Sequence, residues 1–191
     1  LAAYPFGQHR VVLDVGGGMG GWVRALARQH PRLQLQLFDL PPVAALALQQ
    51  VQQEGLAERI TTFGGSFTQD ALPRGADLVT LLRVAHDHPD ATVLRLLRGI
   101  HEALPPGGTL LLAEPMAQAE GRPAPPDPYF HFYLLAMGSG RLRTVEELSD
   151  LMAEAGFVGV EVVPNRLPVH ARILVGRRGL PGNTTRSVNL D

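Results

Sequence analysis

Residues Val11 to Gly21 read Val-Val-Leu-Asp-Val-Gly-Gly-Gly-Met-Gly-Gly, and no other stretch constrains the fold as tightly. A β-branched apolar run breaks into five glycines within six residues, and Trp22 to His30 then follows a helical pattern. Glycine admits φ > 0 and lets a ligand approach the main chain closely. The helix start beyond it leaves amides open to a polar group. In an open α/β sheet, nucleotide-like cofactors sit at such a junction, at the carboxyl end of a strand. The chain therefore reads as an α/β domain that binds a cofactor containing a nucleoside.

A length of 191 residues suits one α/β domain with a full core. Hydrophobic residues at 45% and charged residues at 18% describe a globular chain. A net charge of −1 without a basic block gives nucleic acid no electrostatic footprint. Cysteine is absent, which removes disulfides, thiolate nucleophiles and Cys-based zinc sites and fits a cytoplasmic protein. All 17 basic residues are arginine. Without lysine there is no Walker-type phosphate loop and no Schiff base. No apolar run approaches the ~20 residues of a membrane span, and no signal peptide is visible.

Strand and helix patterns alternate, as in a parallel sheet with crossover helices. Strands are expected at Val11–Val15, Leu33–Phe38, Arg59–Phe63, Ala76–Leu82 and Thr109–Ala113. Helices are expected at Trp22–His30, Pro42–Glu54 and Asp90–Leu104, the last capped by Asp90. A proline-rich loop follows over Gln118–Pro128, then a helix at Tyr129–Met137. Thr144 is expected to cap a helix to about Ala155. Val158–Val163 and Val169–Val175 close the fold as a hairpin, so the last pair is antiparallel, and a tail starts at Gly179.

The glycine turn has two readings. Gly16-x-Gly18-x-x-Gly21 satisfies the dinucleotide fingerprint, with Asp39 at a distance suited to ribose hydroxyls. Against NAD, no Tyr-x-x-x-Lys pair exists here, and the terminal hairpin departs from the usual dinucleotide arrangement. The other reading is S-adenosylmethionine. There Asp39 holds the ribose diol and the glycine turn clears space for the methionine moiety.

Five motifs in order carry a resemblance: Val12–Gly20, Phe38-Asp-Leu-Pro41, Gly64-Gly-Ser-Phe67, Arg83-Val-Ala-His-Asp87 and Leu104-Pro-Pro-Gly-Gly108. Over about residues 5–178 the chain resembles the catalytic domain of class I O-methyltransferases of the plant phenolic and acetylserotonin type. The segment Tyr129–Thr144 looks most like the bacterial carotenoid enzymes of the hydroxyneurosporene/demethylspheroidene group. The resemblance implies a Rossmann-like class I methyltransferase fold: a mostly parallel seven-stranded sheet with an antiparallel C-terminal strand and helices on both faces. It implies S-adenosyl-L-methionine as cofactor, with residues 1–178 as catalytic domain and 179–191 as tail. It also implies a homodimer through an N-terminal domain that would precede Leu1. A hydrophobic hydroxylated acceptor is implied too, reached from the membrane periphery if it is dissolved there.

Residue by residue, the resemblance places the cofactor against Gly16, Gly18, Asp39, Leu40, Gly65, Ser66, Phe67 and Arg83. Asp39 could instead cap the next helix. Ser66 stands where the family usually has Asp, offering a hydroxyl without a charge. Phe67 suits adenine stacking or core filling. Arg83 matches a cofactor-contacting arginine, and a charge ending a buried strand needs a partner. His86 is the candidate general base, since an imidazole of reference pKa about 6.5 can take a hydroxyl proton. Its bland reading is a surface histidine at a strand end. Glu114 matches an acidic residue that orients the histidine, or is a loop carboxylate. A second such glutamate is replaced by Leu142, so catalysis would lean on positioning. His86-x-His88 with Asp87 and Asp90 also suits a metal, yet the resembling family is metal-independent. The stripe Tyr129, Phe130, Phe132, Tyr133 and Met137 suits a long apolar substrate, core packing or a dimer contact.

Overall fold

The computed structural model describes residues 2–117, 140–165 and 171–180. In chain order, β1 is Val11–Val15, α1 Gly21–Gln29, β2 Gln34–Asp39, α2 Pro41–Gln53, β3 Ile60–Gly64 and β4 Leu78–Leu82. Then come α3 (Asp90–Ala103), β5 (Thr109–Glu114), α4 (Val145–Glu154), β6 (Phe157–Val163) and β7 (Arg172–Arg178). The loop expected at 118–128, the helix at 129–137 and the aromatic stripe within it fall outside the described residues.

The seven strands lie in the order β3-β2-β1-β4-β5-β7-β6. All pairs from β3 to β5 are parallel, and β7 runs antiparallel to both β5 and β6. This is the expected mostly parallel sheet with one reversed C-terminal strand. Because side chains alternate along a strand, β1 sends Val12 to one face and Leu13 and Val15 to the other. Leu13, Val15, Val79 and Leu81 pack beneath Val93 and Leu97 of α3 and Met152 of α4. Val12, Leu35 and Leu78 pack beneath Leu26 of α1 and Val51 of α2. Each such side chain contributes about 1.5–3 kcal/mol through its burial.

Two expectations are corrected. β7 lies three residues beyond the apolar run that suggested it. Its register on β5, Thr109 opposite Arg177, is held by the Arg178 guanidinium, which donates to the His101, Glu102 and Leu104 carbonyls ending α3. Asp90 does not cap α3: Pro89 holds that position without a side-chain bond, and the Asp90 carboxylate instead takes Arg141 and Arg143. Thr144 does cap α4, in a reciprocal capping box with Glu147. In β6 the register slips between Val158 and Glu161, where Gly159 has φ 61°, and Val158 and Val162 stay 48% and 50% exposed.

One polar pair is buried within this core. Asp14 and Thr80 are register partners on β1 and β4, and the Thr80 hydroxyl donates to Asp14 Oδ1 at 2.7 Å. Burial pushes the Asp14 carboxyl up from 3.8 to about 7; the Thr80 hydroxyl opposes this and the Asp39 charge adds to it. The folded state therefore holds a proton that the unfolded chain gives up. That stabilisation is complete below the unfolded value and is lost as pH rises through the folded one. Urea unfolding from pH 5 to 7 should show wild-type stability falling, relative to Asp14→Asn, by up to about 1.4 kcal/mol per pH unit. Parallel pH dependences would refute a buried, protonated Asp14.

Candidate active site

From β1 the chain winds through β2 and β3 to one side, while β4 and β5 lie on the other. β1 and β4 flank the point where the strand order reverses, and open α/β sheets bind their ligands at the carboxyl ends of strands there. The glycine turn forms the floor of that switch point. Gly16 has φ 71°, donates to the Phe38 carbonyl at 2.8 Å, and abuts Val84: a Cβ built on it would stand 2.6 Å from Val84 Cγ2. Gly18 has φ 57° and donates to Asp39 Oδ2 at 2.7 Å. A Cβ built on Gly18 meets nothing within 4 Å, so the turn faces open space.

Asp39 ends β2, and its second oxygen accepts from Leu40 N at 2.7 Å. It does not cap α2, which starts after Leu40 without a side-chain cap bond. Gly65 N donates to the Asp39 carbonyl at 2.9 Å, so Gly16, Gly18, Asp39 and Gly65 form one assembly, with Leu40 exposed at its edge. Ser66 turns aside, its hydroxyl 2.8 Å from the Thr68 hydroxyl and its N–H donating to Asp70. Phe67 packs against the core beneath α3, with its ring edge-on to His88 at 5.2 Å. Arg83 directly follows the buried strand β4. Its side chain is exposed and lines an apolar pocket of about 240 Å³ with Trp22, Leu82 and Ile173.

The second assembly hangs from β4. Arg83 has φ 58°, a left-handed conformation costing a non-glycine residue about 1–3 kcal/mol, and its N–H donates to the Ala113 carbonyl. A single 3₁₀ turn, Ala85–Asp87, follows. Glu114, at the end of the neighbouring β5, is 1% exposed and reaches beneath it. Its Oε1 accepts from the Val84 and Ala85 N–H groups at 2.7 and 2.8 Å. Its Oε2 lies 2.6 Å from His86 Nδ1, and His86 is itself 4% exposed. A carboxylate only accepts, so Nδ1 carries the proton and Nε2 is the basic nitrogen. Glu114 thus ends β5 as a buried carboxylate paired with His86, rather than as an exposed loop residue.

Asp87, considered in the sequence only as a metal ligand, places Oδ1 3.4 Å from His86 Nε2. Burial holds the His88 imidazole below its ordinary value, against the pull of Asp87. Among the described residues no group of His, Asp and Glu is arranged to hold a metal ion. Arg143, unremarked in the sequence, is 2% exposed and lies across the same turn. Nothing in local periodicity announces it, since it acts 57 residues from His86 in the chain. Leu142 beside it is buried.

A glycine turn paired with a strand-end carboxylate thus stands beside a buried histidine paired with a second carboxylate. The O-methyltransferase domain family matches residues 1–158, and the chain belongs to that family. It is 42% identical over 169 residues to the demethylspheroidene O-methyltransferase of Cereibacter sphaeroides, covering 88% of this chain and 45% of that protein. It is 40% identical over 159 residues to aclacinomycin 10-hydroxylase RdmB of Streptomyces purpurascens, covering 81% of this chain and 41% of the other. The structure of human N-acetylserotonin methyltransferase in complex with SAM superposes with a TM-score of 0.82 at 27% identity, covering 93% of this chain and 50% of that one. The chain spans about half the length of the relatives it matches.

Proposed function

We propose that this chain is the catalytic domain of an S-adenosylmethionine-dependent O-methyltransferase that methylates a hydroxyl of a hydrophobic acceptor, a carotenoid of the hydroxyneurosporene/demethylspheroidene type. The observation that carries the reading is the His86–Glu114 pair, set on a turn that abuts the glycine floor through Val84 and Gly16. The 42% identity to a demethylspheroidene O-methyltransferase supports the acceptor class.

The residues fit the cofactor. Asp39 ends β2 with a carboxylate whose remaining lone pairs suit a ribose diol, and Gly18 beside it faces open space. When bound, S-adenosylmethionine supplies an electrophilic methyl group on a sulfonium. His86 Nε2 takes the acceptor hydroxyl proton as the oxygen gains the methyl, and Glu114 holds the resulting imidazolium. An aliphatic hydroxyl is a weak acid, so deprotonation accompanies or follows methyl attack. Alignment then supplies much of the rate, through effective molarities that reach roughly 10⁵–10⁸ M. Homodimerisation through a domain outside this chain, and access to a membrane-dissolved acceptor from the periphery, complete the reading. No helix among the described residues is long and apolar enough to cross a membrane.

Full-length enzyme incubated with methyl-labelled cofactor and a panel of hydroxycarotenoids and phenols is expected to label a hydroxycarotenoid. Label on phenols or polyketides alone replaces the acceptor. A second reading, cofactor binding without methyl transfer, draws on the likeness to a protein named a hydroxylase. It predicts bound cofactor and no label in any acceptor. By calorimetry, S-adenosylhomocysteine should bind and NAD should not. Asp39→Ala should weaken that binding about 10–100-fold, as loss of charged hydrogen bonds implies. Tighter binding of NAD sinks the cofactor assignment.

A further inference from the structure

The turn carrying His86 has two backbone bonds of its own. Asp87 N donates to the Val84 carbonyl and His88 N to the Ala85 carbonyl, both at 3.2 Å, the long end of the ordinary range. It hangs from the strained Arg83. External partners must fix it. Glu114 fixes the N–H side, through Val84 and Ala85. On the carbonyl side, among the described residues, Arg143 donates from Nη1 to the Ala85 carbonyl at 2.8 Å and from Nη2 to the His88 carbonyl at 2.7 Å. Its Nε donates to Asp90 Oδ1 at 2.8 Å.

This is a costly way to fill a core position. Burying a guanidinium carries a desolvation penalty of several kcal/mol, and an apolar side chain of equal volume is often the more stable choice. The counter-charge is no compensation in kind, because the Asp90 side chain is 49% exposed while that of Arg143 is 1%. Two of its three nitrogens grip the residues bracketing His86 and Asp87. Gly140 closes the contact: it has φ 86°, and a Cβ built there would overlap the His86 carbonyl oxygen. Asp90 is steadied by Arg141, which also binds Glu147 of the α4 capping box. The base is thus clasped between β5 on one side and the start of α4 on the other.

We propose that Arg143 is a positioning residue for methyl transfer, holding the His86 turn so that Nδ1 meets Glu114 and Nε2 faces the acceptor. The proposal rests on His86 being the base. A fork that bridges two carbonyls is a property of guanidinium that an ammonium lacks. Small misplacements of a catalytic group can cost about 10²-fold.

The test uses the full-length protein. Arg143→Met keeps the volume without donors, and Arg143→Lys keeps the charge without the fork. Both should bind S-adenosylhomocysteine within about threefold of wild type, because Gly18 and Asp39 lie in the other assembly. Expected for Arg143→Met are a kcat lower by about 10–100-fold, a smaller change in acceptor KM and a displaced pH–rate profile. The low-field proton resonance of His86 Nδ1–H should shift or broaden. Arg143→Lys should fall between. A folded Arg143→Met with wild-type kcat and an unmoved resonance overturns the proposal. Should that variant fail to fold, an Arg143→Lys protein with wild-type kcat and pH profile overturns it. His86→Gln separates the two layers. If that variant turns over normally, the base assignment falls and this proposal falls with it. If it is inactive while both Arg143 variants are fully active, only the positioning role is lost.

Discussion

His86→Gln in the full-length protein is expected to lower methyl transfer by about 10²–10⁴-fold, the range that a positioned general base contributes. Glutamine is chosen because its amide N–H can still donate to Glu114 Oε2, the acceptor that His86 Nδ1 meets at 2.6 Å. The buried carboxylate then keeps its partner and the turn keeps its support. An alanine would leave that carboxylate facing a void and confuse lost chemistry with lost folding. Affinity for S-adenosylhomocysteine should stay within a fewfold, since the hydrogen bonds of the glycine floor run to Asp39 and Phe38 rather than to His86. Calorimetry and a single-turnover assay with labelled cofactor measure the two quantities separately. Turnover within threefold of wild type would remove His86 from proton transfer.

Glu114→Gln carries the other large effect and acts by a different route. The glutamine Oε1 can still accept from Val84 N and Ala85 N, so the cost in stability should be modest, about 1–3 kcal/mol by urea unfolding. Its amide nitrogen, however, must face His86 Nδ1 as a donor. Nδ1 then becomes the acceptor and the ring proton moves to Nε2, the nitrogen beside Asp87. A base with its proton on the reacting nitrogen cannot take another. The loss in kcat should therefore approach the ~10⁴-fold that the same tautomer error costs a serine protease triad. Nitrogen-15 chemical shifts of His86 would show the exchange of roles directly. Glu114→Ala should instead cost about 3–5 kcal/mol, because it abandons two buried N–H groups together with the histidine. A Glu114→Gln enzyme within a fewfold of wild-type kcat would show that the tautomer does not matter.

Much of the sheet is legible in the chain because its strands are apolar runs bounded by glycine, proline and acidic residues. Val11–Val15 is β1 without adjustment. β7 is not legible in the same way: its position depends on a register with β5 and on Arg178 reaching the end of α3, neither of which is local. The glycine turn and Asp39 can be paired from spacing alone. His86 and Glu114 lie 28 residues apart and meet because β4 and β5 are parallel neighbours, with Leu82 opposite Ala113. Knowing the strand order places them side by side. Arg143 and Asp90 defeat the linear reading for one reason. Each looks like an ordinary surface or capping charge until the segment at 140–143 folds back on the turn. Asp14 is hidden too, as one polar letter in a run whose other members are apolar.

The slip in β6 bears on how this domain survives at high concentration. An edge strand with two outward valines, Val158 and Val162, is a natural template for cross-strand association between molecules. A ladder of unpaired N–H and C=O groups recruits a neighbour only if it is flat and evenly spaced. The left-handed residue at Gly159, directly after Val158, breaks that spacing. At the opposite edge β3 spans only Ile60–Gly64, too short to seed a long pairing. Among the described residues, each border of the sheet thus carries a feature that works against edge pairing, an irregularity in β6 and a short span in β3, and neither relies on a lysine.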